Sequence, residues 1–364
     1  MRPDDFIALF VLGAASASAQ SLLTVLRENG FSGYAELVQG DAILEAGSGL
    51  IVYAPTNEAL RSAGNSLFIN ARQVPNNNAS NSFGAVRATA PTFVDPAQFP
   101  EGEDSDSAQS PNGTVRETLL NGSEFVNLGP GHNQSLVERN TSSLGRPTVY
   151  GGLGQSVEVA GEDIPFDNGV VRPINGVLTL PSTLPSTLPL MNASEFGRSL
   201  QRAGLASELD RRPSITVLAP NDAAWNEARN PTGDLVTRAI GNATNDGLAQ
   251  LCKEHIIVDF PGYTPLLKNG GVYRTLGGTN VTISVQDDVV TIGGARIIRN
   301  DAIIINGVVH AVDKLLTASG SNSPSEPSPS PVPGGSSPWR TPPFWEALLV
   351  TFIGVIVGSV GPLF

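Results

Sequence analysis

The sequence predicts an α+β fold that occurs twice along the chain. First, the run Ile51-Val52-Tyr53-Ala54-Pro55-Thr56-Asn57-Glu58-Ala59-Leu60 returns as Thr216-Val217-Leu218-Ala219-Pro220-Asn221-Asp222-Ala223-Ala224-Trp225. Each is an apolar strand-like run stopped by Ala-Pro, then a Thr, Asn or Asp able to cap a helix, then that helix's first turn. Second, Pro173-Ile174-Asn175-Gly176-Val177-Leu178 and the longer run Ile304 to Leu316 read as a second repeated element in the same order. Two motifs recurring in one order mark a duplication. Third, helical and strand periodicities alternate within each copy.

The elements follow in order. Residues 1–19 read as a signal peptide, with the apolar run Phe6 to Leu12 and an Ala17-Ser18-Ala19 cleavage pattern. Leu22, Leu23 and Leu26, then Phe31, Tyr34, Leu37 and Val38, carry helical spacing before the first motif; Phe196, Leu200 and Ala203, then Leu205 and Leu209, do so before the second. Late in the second copy Val281 to Val285, Val289 to Ile292 and Ala295 to Ile298 are short β-rich runs parted by Asp287-Asp288 and Gly293-Gly294, which predicts hairpins. Pro55 to Asn175 spans 120 residues and Pro220 to Asn306 only 86. The surplus falls at about 72–113, an aperiodic stretch rich in Asn, Pro and acidic residues that reads as a disordered insertion. Residues 182–191, Pro/Ser/Thr-rich, read as a semi-rigid linker between domains at 20–181 and 192–317. Residues 318–343 form a Ser/Pro stalk. In the tail 344–364, Ala347 to Phe364 is apolar and would make a helix about 27 Å long. Small residues Gly334, Gly335 and Ser336, a polar spacer and an apolar end are the layout of a GPI-attachment signal, with a retained transmembrane helix as the alternative.

The two ordered motifs resemble the fasciclin (FAS1) domain family, whose signatures are a T-V-F-A-P-T-N-x-A-F type run and an N-G-V-x-H-x-I-D-x-x-L type run. The second copy carries Asn306-Gly307-Val308, His310 and Asp313, preceded by Asn300-Asp301, and Leu251 to Ile257 stands for the family's central Tyr-His segment, with Glu254 at the Tyr position and His255 following. The first copy is divergent, with Asn175-Gly176 taken as its Asn-Gly and Thr179 at the histidine position. The resemblance implies two tandem FAS1 domains, each a β-sandwich-like wedge with packed helices. It implies that His310 supports the core. It also aligns Asp301 with an Asp-Ile integrin-recognition element of animal members, with Ala302 in place of the Ile.

The chemistry that the residues permit is narrow. A formal charge of −12 leaves no basic stripe for phosphates and speaks against a nucleic-acid partner. Only His132, His255 and His310 are available, none at metal-ligand spacing; Asp287-Asp288 is explained by a turn; no nucleophile elbow or phosphate loop occurs. The expectation is no catalytic residue, no metal and no cofactor. Pro55, Asn57, Pro220, Asn221 and Asp222 read as strand ends and helix caps. Cys252 is the only cysteine, so no internal disulfide forms. Sequons at Asn78, Asn112, Asn121, Asn133, Asn140, Asn192, Asn242 and Asn280 predict a glycosylated ectodomain. The functional expectation is an anchored surface glycoprotein acting in cell adhesion or in matrix or cell-wall organisation. Its partners would be surface or matrix proteins or polysaccharides, homophilic contact included. The alternative is a lipid or glycan carrier or receptor on a surface or vacuolar membrane.

Overall fold

A computed structural model describes residues 20–41, 44, 48–64, 83–87, 111–140, 146–228 and 245–316. All of them lie in one compact unit, Met1–Ser321. Among these residues no helix is long and apolar enough to cross a membrane. The expected signal peptide, stalk, anchor residues Gly334 to Ser336 and apolar tail lie outside the described residues, as do Asn78 and Asn242.

The second half is built on a parallel strand pair. Strand β9 (Ile215–Pro220) runs parallel to β15 (Gly307–Val312), with Ile215 opposite Gly307 and Pro220 opposite Val312. Both strands are buried at every position, as their continuous apolar sequences require of strands covered on both faces. Around them stand β10 (Ile256–Ile257) on one side and the meander β14 (Ala295–Ile304), β13 (Val289–Ile292), β12 (Asn280–Gln286) and β11 (Val272–Arg274) on the other, seven strands in all. The expected hairpins are present. Asp287 and Asp288 (φ 48° and 63°) and Gly293 and Gly294 (φ 56° and 83°) supply the left-handed pairs of two-residue turns.

The first half repeats this layout. Strand β1 (Leu50–Pro55) runs parallel to β8 (Gly169–Ile174), with Leu50 opposite Gly169 and Pro55 opposite Ile174. Strand β2 (Ala85–Arg87) takes the place of β10. Here the sheet is broken: β2-β1-β8-β7 forms one four-stranded sheet, and β3 (Thr114–Glu117), β4 (Ser135–Arg139), β5 (Thr148–Tyr150) and β6 (Ser156–Glu158) form another. The single strand β14 of the second half corresponds to β6 plus β7 (Ile164–Phe166) in the first.

Helices pack over each parallel pair as their spacing predicts. In the first half α1 (Leu22–Glu28), α2 (Ser32–Val38) and α3 (Asn57–Ala63) bury Leu22, Leu26, Tyr34 and Val38, while Leu37 is exposed. In the second, α5 (Ser194–Arg202), α6 (Ala206–Arg211), α7 (Asp222–Ala228) and α8 (Asn245–Lys253) enclose a core centred on Phe196 and Trp225, whose rings meet edge-to-face at 5.9 Å.

One expectation about a segment is corrected and the bounds of another are narrowed. The stretch expected as a linker is not a spacer: Leu184–Thr187 is helix α4 and Leu188–Met191 continues it as a 3₁₀ turn. Leu184, Leu188 and Met191 follow i, i+4, i+7 spacing and join the Phe196–Trp225 core, and the prolines sit at helix starts, where a missing N–H is tolerated. Leu188→Ala is therefore expected to cost about 2–5 kcal/mol in urea unfolding, where a linker residue would cost nothing measurable. Most of the stretch 72–113 lies outside the described residues, but Ala85–Arg87 within it is strand β2, hydrogen-bonded to β1.

The halves are joined directly. Val115 and Val137 of the first half pack with Tyr263, Ile303 and Val308 of the second. The Ile303 N–H donates to the Gly151 carbonyl at 3.0 Å, and Gln134 Nε2 donates to the Ile304 carbonyl at 3.2 Å.

Candidate functional site

The parallel pair sets which residues of the two halves correspond. The Ile215 N–H donates to the Asn306 carbonyl at 2.9 Å, and the Leu50 N–H donates to the Asn168 carbonyl at 3.0 Å. A Cβ on Gly307 would lie 1.9 Å from the Ile215 carbonyl oxygen, and one on Gly169 would lie 1.9 Å from that of Leu50. Only glycine fits either position. Asn306-Gly307-Val308-Val309-His310 therefore corresponds to Asn168-Gly169-Val170-Val171-Arg172. The expected pairing with Asn175-Gly176 is seven residues out of register, and Arg172, not Thr179, holds the place of His310.

Asn175 has a different counterpart. Its Oδ1 accepts from the Glu158 N–H at 2.8 Å, and its own N–H donates to the Glu158 carbonyl at 3.0 Å. Asp313 does the same with Arg296, at 2.8 and 3.0 Å. Each side chain clamps the strand beside the parallel pair. The order Asn-Gly occurs at both 168–169 and 175–176, and the longer match Asn-Gly-Val-Val at 168–171 is the signal in the sequence that separates them.

The Ala-Pro motif has one geometry in both halves. Pro55 and Pro220 end β1 and β9. Thr56 Oγ1 accepts from the Ala59 N–H at 3.1 Å, and Asn221 Oδ1 accepts from the Ala224 N–H at 2.7 Å, each capping its own helix. The next residue caps a neighbouring helix. Asn57 Oδ1 accepts from the Gly33 N–H at 3.0 Å on α2, and Asp222 Oδ1 accepts from the Glu195 N–H at 2.8 Å on α5. One dipeptide thus satisfies orphan donors of two helices. Asp222 is a cap, as expected, but of α5 instead of its own helix.

The two buried histidines serve the main chain. His310 Nε2 donates to the Gly262 carbonyl at 2.9 Å, and its Nδ1 accepts the Asp301 N–H at 3.2 Å. Asp301, held at φ 53°, turns Oδ1 to the Thr264 N–H at 2.8 Å. His255 uses the opposite tautomer: Nδ1 donates to the Leu251 carbonyl and Nε2 accepts the Leu316 N–H, both at 2.9 Å. Burial holds both imidazoles below the usual range, His255 at about 4, the Leu251 carbonyl and the nearby Glu254 charge opposing the shift only in part. Neither ring has a nitrogen left to take a proton from a substrate. Asn306 is structural too: its Nδ2 donates to the Leu209 and Arg212 carbonyls, both at 2.7 Å, closing the end of α6. Burial pushes the Cys252 thiol up to about 12, away from nucleophilic use.

Acid sensitivity follows. The unfolded chain protonates a histidine near 6.5 and the folded chain protonates His255 only near 4, so unfolding takes up a proton between these values. Stability is full above pH 6.5 and is expected to fall by about 1.4 kcal/mol per unit below it, more with His310 adding in the same direction. Urea midpoints at pH 7.0, 6.0 and 5.0 check this; a flat profile rejects it.

At the position of His310 the first half holds a charged network that the sequence reading missed. Arg172 Nη1 contacts Glu138 Oε1 and Oε2 at 2.9 and 2.7 Å, and its Nε and Nη2 pair with Asp163 at 2.7 and 2.5 Å. Glu138 Oε2 also accepts from Tyr53 at 2.6 Å and from Arg116 Nε at 3.3 Å, and the Arg172 guanidinium lies 6.0 Å over the Tyr53 ring. Val159 bridges Ile174 as Ile297 pairs Val312, so Asp163 is the counterpart of Asp301. The Asp-Ile dipeptide that the family resemblance aligned with Asp301 and Ala302 stands in the first half at Asp163-Ile164. Glu254, at the Tyr position of the second half, is buried too, accepting from Gln250 Nε2 at 2.7 Å, from Thr275 Oγ1 at 2.9 Å and from the Thr279 hydroxyl.

Outside these cores the junction carries an open cleft of about 580 Å³ lined by Asn121, Asn127, His132, Asn133 and Pro213, so that two candidate glycosylation sites face it. Asn112, Asn121, Asn140, Asn192 and Asn280 are exposed; Asn133 is half-buried, with Nδ2 donating to the Thr118 carbonyl at 3.0 Å. Among the described residues no group of His, Cys, Asp and Glu is placed to hold a metal ion.

The family model for the fasciclin domain matches residues 191–318. A fasciclin-like arabinogalactan protein of Cercospora beticola is 26% identical over 98% of this chain and 92% of its own length. One of Arthroderma benhamiae is 26% identical over 63% of this chain, which spans 49% of that relative. Human periostin is 30% identical over 46% of this chain and 20% of its own length. Among solved structures, a FAS1 domain pair from the insect cell adhesion molecule fasciclin I aligns with 80% of this chain and 98% of its own, at 17% identity and a TM-score of 0.37.

Proposed function

We propose that this chain, whose residues 191–318 match the family model for the fasciclin domain, is an extracellular glycoprotein acting in adhesion or in matrix or cell-wall organisation by binding proteins or glycans. The observation that carries this reading is similarity along nearly the whole chain to a fasciclin-like arabinogalactan protein. The buried chemistry supports it, since His255, His310, Asn306 and Glu254 are all committed to main-chain or side-chain partners within the fold. In this reading the signal peptide directs secretion, the Ser/Pro stalk spaces the two units from the surface, and a GPI anchor holds them there. The more apolar cavities, of about 210 and 280 Å³, fall below the ~300–1,000 Å³ of small-molecule sites, and the cleft of about 580 Å³ is lined largely by Asn, Ser, His, Gly and Pro, so neither favours a lipid and the carrier alternative is the weaker one.

The test uses protein secreted by its native cells. Mass spectrometry of the mature C-terminus should find a glycolipid on Gly334, Gly335 or Ser336. Purified protein should be retained on isolated walls or matrix, or self-associate in sedimentation. A monomer that binds neither rejects the adhesion reading.

A further inference from the structure

The junction between the halves holds a second cavity, of about 140 Å³, lined by Arg139 from the first half and by Thr264, Asp288, Arg296 and Asn300 from the second. At about 30 Å³ per water, it has room for four to five waters or one small polyatomic ion. Its wall has an unusual feature. Arg139 is 5% exposed, yet among the described residues its guanidinium makes one hydrogen bond, from Nε to the Asn112 carbonyl at 3.2 Å, and no ion pair. Its Nη groups have no partner among the described residues and are reached by solvent, so water or a ligand acceptor meets them. Thr264 Oγ1 beside it is also buried without a partner.

The surrounding chain holds Arg139 in this pose. The Asn112 N–H donates to Asp288 Oδ1 at 3.0 Å while its carbonyl receives Arg139, so one residue ties the arginine to the β12–β13 turn of the other half. Gly113 (φ 152°) permits the approach: a Cβ there would lie 2.7 Å from Arg139 Cγ and 2.9 Å from Pro265 Cγ. Arg296 is exposed at the rim, and its side chain has no ion pair among the described residues. The lining carries two arginines and one carboxylate, Asp288, which already accepts one main-chain N–H; Asp301 stands behind Thr264, its Oδ1 taken by the Thr264 N–H. Paired guanidiniums with a hydroxyl and an amide are the donor set that oxyanions select.

We propose that this junction cavity binds one oxyanion, the carboxylate of a sugar acid or a sulfate, between Arg139 and Arg296, with Thr264 and Asn300 as neutral donors. The site is independent of the adhesion reading and would exist in a carrier as well.

Calorimetric titration of the full-length protein at constant ionic strength tests it, with sulfate and glucuronate as probes and glucose as the uncharged control. One saturating event per chain is expected for sulfate or glucuronate, and none for glucose. Tighter glucuronate binding assigns a sugar-acid carboxylate and tighter sulfate binding a sulfate group; either keeps the site. Arg139→Gln alters a buried residue and can unfold the protein, so two exposed rim positions carry the test. Arg296→Gln should weaken binding about tenfold, the loss of one charge-assisted hydrogen bond. Asp288→Asn removes a repelling charge, keeps the acceptor for Asn112, and should tighten binding several-fold. No saturation into the tens-of-millimolar range, or an affinity that neither variant moves, overturns the proposal.

Discussion

Gly169→Ala is expected to unfold the first half of the protein, at a cost of at least about 4 kcal/mol, because the added methyl would sit 1.9 Å from the Leu50 carbonyl oxygen. That contact is with the backbone of β1, a strand buried at every position, and neither strand of the parallel pair can retreat without breaking hydrogen bonds. Gly307→Ala should behave alike, since its Cβ meets the Ile215 carbonyl at the same 1.9 Å, with a left-handed φ of 149° adding to the strain. Gly176→Ala is the informative contrast. Its methyl would approach the Val157 side chain, which can shift, so about 1–3 kcal/mol of overpacking is expected. Urea unfolding of the three variants ranks them. If Gly176→Ala proves the most damaging, the register assigned to the first half is wrong.

Glu138→Ala is the second large effect. It leaves the Arg172 and Arg116 guanidiniums facing each other and strips Tyr53 of its acceptor, in a network whose charged side chains at the centre are 12–15% exposed. Removing one partner of such a buried pair costs about 3–5 kcal/mol; partial exposure places this one near 3. The double variant Glu138→Leu, Arg172→Leu should lose less than the sum of the two single changes, because the Glu138–Arg172 contact is lost in each single variant and so enters that sum twice, while the losses at Arg116 and Asp163 enter it once. Strict additivity in a double-mutant cycle would show that the pair contributes no coupling.

The helices and the second half were largely legible in the sequence. Leu22, Leu26 and Tyr34 announced α1 and α2 through 3.6-residue spacing, and the pairs Asp287-Asp288 and Gly293-Gly294 announced their turns, because local rules govern both. The segment 182–191 was misread because its Pro and Ser/Thr content hid the spacing of Leu184, Leu188 and Met191, and only the neighbouring core decides whether such a segment docks. The candidate site was less legible. Glu138, Asp163 and Arg172 are far apart in sequence, and nothing local marks them as partners.

By itself the sequence determined that the chain is a duplication, that the first strand of each parallel pair ends at Ala-Pro followed by a cap, and that the second half keeps the Asn306-Gly307 and His310 pattern. These follow from periodicity, backbone restriction and capping, which act within a few residues. Tertiary structure decided which Asn-Gly of the first half pairs with Leu50, that Arg172 replaces His310, and that Arg139 and Arg296 line one cavity. Register depends on whether a Cβ clashes with a strand more than a hundred residues away. Charge pairing depends on what burial brings into contact, and neither quantity is a property of a local stretch of chain.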